Sequence, residues 1–135
     1  MQLHGDESPE YIERVEAPVI KVLHMDPHRE GDRDALLRHL RASVAQYAHR
    51  AVAVLLDTRL PQSVGGGAGV VFDWSIAGSV GIPVIIAGGI TPENVGAGVR
   101  RAGVYGVDIS SSVETSPGVK DHEKLKLLIT NAKVK

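Results

Sequence analysis

Four short apolar runs divide the chain: Val19-Ile20-Lys21-Val22-Leu23, Val52-Ala53-Val54-Leu55-Leu56, Val84-Ile85-Ile86-Ala87 and Val104-Tyr105-Gly106-Val107-Asp108-Ile109. Each is rich in β-branched residues and nearly continuous, the pattern of strands buried on both faces of a parallel sheet. Between them the spacing becomes helical. Ser8-Pro9-Glu10 supplies an N-cap, a proline at the first helical position and an early acid. After Asp32, residues Leu36, Leu37, Leu40, Val44 and Tyr47 form one stripe, and Arg33, Arg38, Arg41 and Gln46 fall outside it. Asp73 precedes Trp74-Ser75-Ile76-Ala77, and Thr91-Pro92-Glu93 repeats the cap-and-proline signal. Asp121 opens a last helix with Leu125, Leu128, Ile129 and Ala132 on one side and Lys133 and Lys135 at its end, where cations suit the helix dipole.

Strict alternation of helix and strand predicts βαβ units, hence an α/β domain with a parallel sheet. No linker or low-complexity tract interrupts residues 1–135, so a single domain is expected. The long loops 25–31 and 59–69 each follow a strand, on the edge where parallel folds place their sites. Gln2-Leu3-His4-Gly5 reads as the end of a further strand, so Met1 is not expected to mark the natural beginning of the domain.

Composition removes several function classes. A formal net charge of -1 gives no footprint for nucleic acid or an anionic membrane. No apolar run is long enough for a membrane helix, and the N-terminus lacks a signal pattern, so a cytoplasmic address is expected. The chain has no cysteine, which excludes disulfides, thiolate zinc sites and a cysteine nucleophile or base within these residues. Its 15 glycines cluster at 65–69, 78–89 and 96–106, where backbone is expected to approach something closely.

Four places could carry chemistry. Asp57 directly follows the strand 52–56; its carboxylate either points into the mouth of the fold or caps nearby N–H groups in a turn. Gly65-Gly66-Gly67-Ala68-Gly69 exposes several N–H groups but matches neither a Walker loop nor G-x-G-x-x-G, which disfavours a nucleotide cofactor. Gly88-Gly89 ends a strand just before a capped helix; it is either a tight turn or an anion site built from backbone N–H groups. Asp108-Ile109-Ser110-Ser111-Ser112 follows the last strand. With the Gly88-Gly89 turn it fits the phosphate site that barrels build after their seventh and eighth strands. The six histidines are dispersed. His4 ends the first strand remnant and is a pocket candidate. His24 and His28 have a spacing that could suit a metal, but with no third ligand evident they are expected to be solvent-exposed, with no metal site. Trp74 is expected to anchor its helix in the core.

In this order the pieces resemble phosphoribosylanthranilate isomerase, a barrel enzyme of tryptophan synthesis. Gln2-Leu3-His4-Gly5-Asp6-Glu7 is similar to the family's fourth strand and its exit, Val19 to Leu23 to the fifth, and Leu55-Leu56-Asp57 to the sixth. Gly66-Gly67-Ala68-Gly69 with Phe72-Asp73-Trp74 resembles the glycine loop and the start of the sixth helix. Ala87-Gly88-Gly89 with Thr91-Pro92-Glu93-Asn94-Val95 resembles the seventh strand's exit. Val107-Asp108-Ile109-Ser110-Ser111, Val113-Glu114 and Pro117-Gly118-Val119-Lys120-Asp121 resemble the eighth. Ala68 stands where the family usually has threonine, and Ser112 where it usually has glycine.

The resemblance implies the C-terminal part of a (βα)₈ barrel, from about the fourth strand onward, with strands one to three missing. It implies an Amadori rearrangement of N-(5-phosphoribosyl)anthranilate to its 1-deoxyribulose isomer without a cofactor. Asp57 would be the general acid on the ribose ring oxygen. The phosphorylated substrate would lie against Gly88, Gly89, Asp108, Ser110, Ser111 and Ser112, with the loop of Gly66, Gly67, Ala68 and Gly69 over it. The family's base is a cysteine after the first strand, and nothing in this chain matches it, so the chain alone is expected to be inactive. Family members also occur fused to other tryptophan-synthesis domains. A barrel piece leaves sheet edges, at 2–4 or 19–23 and at 104–109, so a homodimer of the piece is expected. Two other readings stand beside this one: another phosphate-binding barrel such as indole-glycerol-phosphate synthase, and a non-catalytic half-barrel that binds phosphate.

Overall fold

The computed structural model describes residues 1–25, 32–58 and 73–133. The elements are β1 (Gln2–Leu3), α1 (Pro9–Glu13), β2 (Val19–Met25), α2 (Arg33–Ala45), β3 (Ala51–Thr58), a 3-10 turn (Trp74–Ser79), β4 (Val84–Ala87), α3 (Val95–Ala102) and β5 (Gly106–Asp108). A short 3-10 turn (Ser111–Val113), β6 (Glu114–Ser116), β7 (Val119–Lys120) and α4 (His122–Lys133) follow. The first five strands form one sheet in the order β1-β2-β3-β4-β5, and every pair is parallel. The α/β class and the parallel alternation expected from the apolar runs are therefore present. The remnant at Gln2–Leu3 is a true strand, so β1 rather than β2 lies at the sheet margin.

Side chains divide between the two faces as strand alternation requires. Val54, Leu56, Val84 and Ile86 join the stripe Leu36, Leu40 and Val44 of α2, together with Trp74, Ile76, Val95, Val113 and Leu128, in the main core. The opposite face carries a smaller cluster of Val22, Leu55 and Ala87, flanked by Ile20 and Ile85. A third cluster, Leu3, Ile12 and Val19, seats α1 beneath β1 and β2.

The caps mostly fall where the sequence places them. Ser8 accepts from the Tyr11 N–H, Asp32 from Asp34, Asp73 from Ser75, and Asp121 from Glu123 and Lys124. Three expectations need correction. The segment after Asp73 is a 3-10 turn rather than an α-helix, with Gly78 packed so tightly on Ala102 that an added Cβ would lie 2.5 Å from its carbonyl oxygen. The helix expected from Thr91 begins at Val95, because Thr91 and Asn94 bond to each other reciprocally and hold 92–94 as a turn. The fourth apolar run shortens to Gly106–Asp108, since Gly103 ends α3 in the left-handed region and Tyr105 only begins the pairing with Val84. An unforeseen antiparallel hairpin, β6-β7, turns at Pro117-Gly118, with Gly118 at a φ of 81°. That is the proline-then-glycine requirement of a type II turn.

Candidate functional site

The C-terminal ends of β1 to β5 carry the polar groups. Strand register places Asp57 beside His24 on one side and Ala87 on the other, and Ala87 in turn beside Asp108. Asp57 shares its face with Leu55, two residues earlier, so its carboxylate stands at the rim of the Val22, Leu55 and Ala87 cluster. It is half-buried, and its Oδ2 lies 3.7 Å from His24 Nδ1.

Gly88 leaves β4 with a φ of 76° and Gly89 continues at 69°, conformations that L side chains rarely adopt. A Cβ on Gly88 would come within 2.9 Å of the Thr58 backbone nitrogen and 3.2 Å of Asp57 Oδ1. The turn therefore rests directly on the acid-bearing strand end. Asn94 holds it from the other side, donating from Nδ2 to the Gly89 carbonyl at 2.9 Å and accepting the Thr91 N–H at 2.8 Å.

The 110–112 segment follows β5, the neighbour of β4. Ser110 and Ser111 are exposed, as is Asp108. Ser112 Oγ is buried and has no hydrogen-bond partner among the described residues. Lys120, reaching across from β7, donates to the Ser110 carbonyl at 2.9 Å and to Glu114 Oε1 at 2.6 Å. The hydrogen bond from Lys120 holds the Glu114 carboxyl below its ordinary pKa. Gly66, Gly67, Ala68 and Gly69 lie outside the described residues, as does His28.

A five-stranded sheet that winds in chain order, with an aspartate at the end of its third strand and a glycine pair at the end of its fourth, can be compared with known proteins as a unit. The family model for N-(5'phosphoribosyl)anthranilate (PRA) isomerase matches residues 1–131. The chain belongs to this family. The isomerase of Cellvibrio japonicus is 41% identical over 133 residues, covering 98% of this chain and 57% of that protein. The isomerase of Myxococcus xanthus is 42% identical over 137 residues, covering 98% and 59%. Among solved structures, phosphoribosyl anthranilate isomerase from Thermococcus kodakaraensis superposes with a TM-score of 0.78 at 28% identity, covering 99% of this chain and 63% of that one. The chain thus spans about three fifths of the length of the isomerases it matches.

Within this isomerase-family chain, sequence reasoning missed two residues. His24 is not an isolated, solvent-exposed histidine. Its side chain is 23% exposed, its ring lies 4.9 Å from that of His4, and Asp57 stands beside it. The third group comes from a neighbouring strand, so no spacing along the chain reveals it. Lys21 reads as a polar interruption of an apolar run, yet its side chain is only 3% exposed. Its ammonium donates to the Gly5 carbonyl at 2.6 Å and to Glu7 Oε2 at 3.0 Å, and it lies 5.6 Å from the centre of the Tyr47 ring. Burial raises the pKa of the Glu7 carboxyl, but the hydrogen bonds from Lys21 and from the local backbone outweigh it and leave the value below the ordinary one.

Proposed function

We propose that these residues form the acid-bearing and phosphate-holding part of a phosphoribosylanthranilate isomerase, built as the C-terminal portion of a (βα)₈ barrel. The observation that carries this reading is the placement of Asp57. It stands at the exit of the central strand, half-buried, with the left-handed Gly88 turn packed against it.

In the rearrangement, a proton delivered to the ribose ring oxygen opens the furanose as the anilino nitrogen forms a C=N bond to C1. Removal of the C2 proton then gives an enolamine, which becomes the ketone. Asp57 is suited to the first transfer: its carboxyl is fixed by the strand and reaches the mouth. The Gly88, Gly89, Ser110, Ser111 and Ser112 segments would hold the phosphate at the ends of two adjacent strands, with Asn94 fixing the first turn and Lys120 the second. His4, exposed at the β1 exit, lines the same mouth.

The second transfer needs a base. A cysteine matching the family's is absent from the 135 residues, so this reading assigns the base to a segment outside them and expects no turnover from the chain alone. Loss of a base costs roughly 10²–10⁴-fold, and imperfect positioning costs more.

A relative has been solved in complex with reduced 1-(o-carboxyphenylamino)-1-deoxyribulose 5-phosphate. Titrating this chain with that compound, followed by amide NMR, tests the reading independently of turnover. Shifts at Gly88, Gly89, Ser110, Ser111 and Ser112 are expected; saturable binding that leaves these five amides unmoved would remove the phosphate assignment. Substrate fluorescence followed over time tests the rest: steady consumption by the 135-residue chain would show that the base lies within it.

A further inference from the structure

Three potential metal ligands meet at the ends of β1, β2 and β3. One ligand atom from each of His4, His24 and Asp57 can be chosen so that all three lie within 4.8 Å of one another. The two imidazole rings have centres 4.9 Å apart and are tilted by 58° rather than stacked. His24 Nδ1 lies 3.7 Å from Asp57 Oδ2, beyond hydrogen-bond reach. That nitrogen is shielded from solvent and has no hydrogen-bond partner among the described residues. A shielded imidazole nitrogen without a partner is unfavourable. The orphaned atom and the convergence of the cluster are separate observations, and both point into the same space.

We propose that His4, His24 and Asp57 bind a divalent transition-metal ion of the zinc and cobalt class. Two imidazoles and one carboxylate form a donor set that borderline ions accept and that magnesium and calcium, which require oxygen, do not. Tetrahedral coordination with bonds of about 2.1 Å places ligand atoms roughly 3.4 Å apart. The His24 and Asp57 pair is near that spacing already. His4 is exposed and can rotate to close the remainder, leaving one coordination position open to water. The neighbouring cation, Lys21, does not compete, because its ammonium is engaged by Gly5 and Glu7 on the opposite face of the sheet. A bound ion would hold Asp57 ionised and so oppose the proton transfer proposed above; the readout below is the metal alone, so the site is tested separately from that reading.

The experiment is titration of the full chain with Co²⁺ at neutral pH, followed by visible absorption. One equivalent should produce the intense bands of tetrahedral cobalt, and Zn²⁺ should abolish them. His24→Ala and His4→Ala should each weaken binding at least tenfold and remove the tetrahedral bands, whereas His122→Ala, at the start of α4, should leave both unchanged. His4 is exposed, so its variant retains the fold even where His24→Ala does not, and circular dichroism distinguishes the two cases. Absence of the bands at one equivalent, or their survival at full strength in folded His4→Ala, would overturn the proposal.

Discussion

At Gly88 two constraints act on one backbone position. Its φ of 76° is the region where a β-carbon is strained, and the space that carbon would take belongs to Thr58 and Asp57. Gly88→Ala is therefore expected to destabilise the chain by about 2–5 kcal/mol, combining the left-handed penalty with overpacking. Urea denaturation measures the first effect, and weaker binding of the deoxyribulose phosphate compound reports displacement of the turn. Glu7 offers a charge test at the same scale. Glu7→Gln removes the carboxylate facing a buried ammonium, although Lys21 keeps the Gly5 carbonyl, and a loss of about 1–3 kcal/mol at pH 7 is expected. The folded pKa of Glu7 lies below its unfolded value, so this stabilisation is complete above the ordinary carboxylate range. It disappears as pH falls through the folded value. The stability gap between wild type and variant should hold from pH 7 down to the ordinary carboxylate range and narrow only below it; a gap independent of pH down to pH 3 would show that the ion pair is not its source.

Among the elements, α3 and the 3-10 turn before β4 meet through glycines. An added Cβ at Gly98 would lie 2.5 Å from the Trp74 ring, so the buried tryptophan packs directly on the glycine face of α3. Gly98→Ala gains about 1 kcal/mol in helix propensity and loses about 1–3 kcal/mol in forced repacking. A net destabilisation is expected, together with a change in the emission of the single tryptophan; unchanged emission would mean that the ring does not sit on this helix. Element identity was largely legible in the sequence because it depends on local signals. Val84 to Ala87 reads as a strand and is one, and Ser8, Asp32 and Asp121 cap what they precede. The start of α3 was not legible, because Thr91 and Asn94 engage each other instead of the helix. The β6-β7 hairpin was signalled by Pro117-Gly118, but its strands are too short and exposed to show alternation. The candidate site divides in the same way. Asp57 and Gly88-Gly89 stand out as strand-end residues, whereas the meeting of His4 and His24 with Asp57 depends on pairing register between strands, which no single segment encodes.

At the scale of the whole molecule, the described sheet is open, with β1 and β5 at its margins. Beside β5 a groove is lined by Val107, Ile109, Leu125 and Ile129, and the last two are themselves exposed. Unpaired strand margins beside apolar side chains favour association. The chain is expected to form a two-fold dimer, resolved by sedimentation equilibrium across a wide concentration range; a compact monomer that binds no apolar dye at high concentration would show that the groove is closed internally.

The winding order of the sheet also bears on how the molecule comes into being. Among the described residues, each of β1 to β4 pairs with the strand that follows it in the chain, and none of the five is inserted between two already joined. Assembly can then proceed as the polypeptide leaves the ribosome, each βα unit docking on its predecessor and no earlier pairing being undone. Loop closures stay short at every stage, which keeps the entropic barrier low. Nascent chains of increasing length should acquire protease resistance stepwise from the β1 side, with β5 the last strand of the five-stranded sheet to be protected.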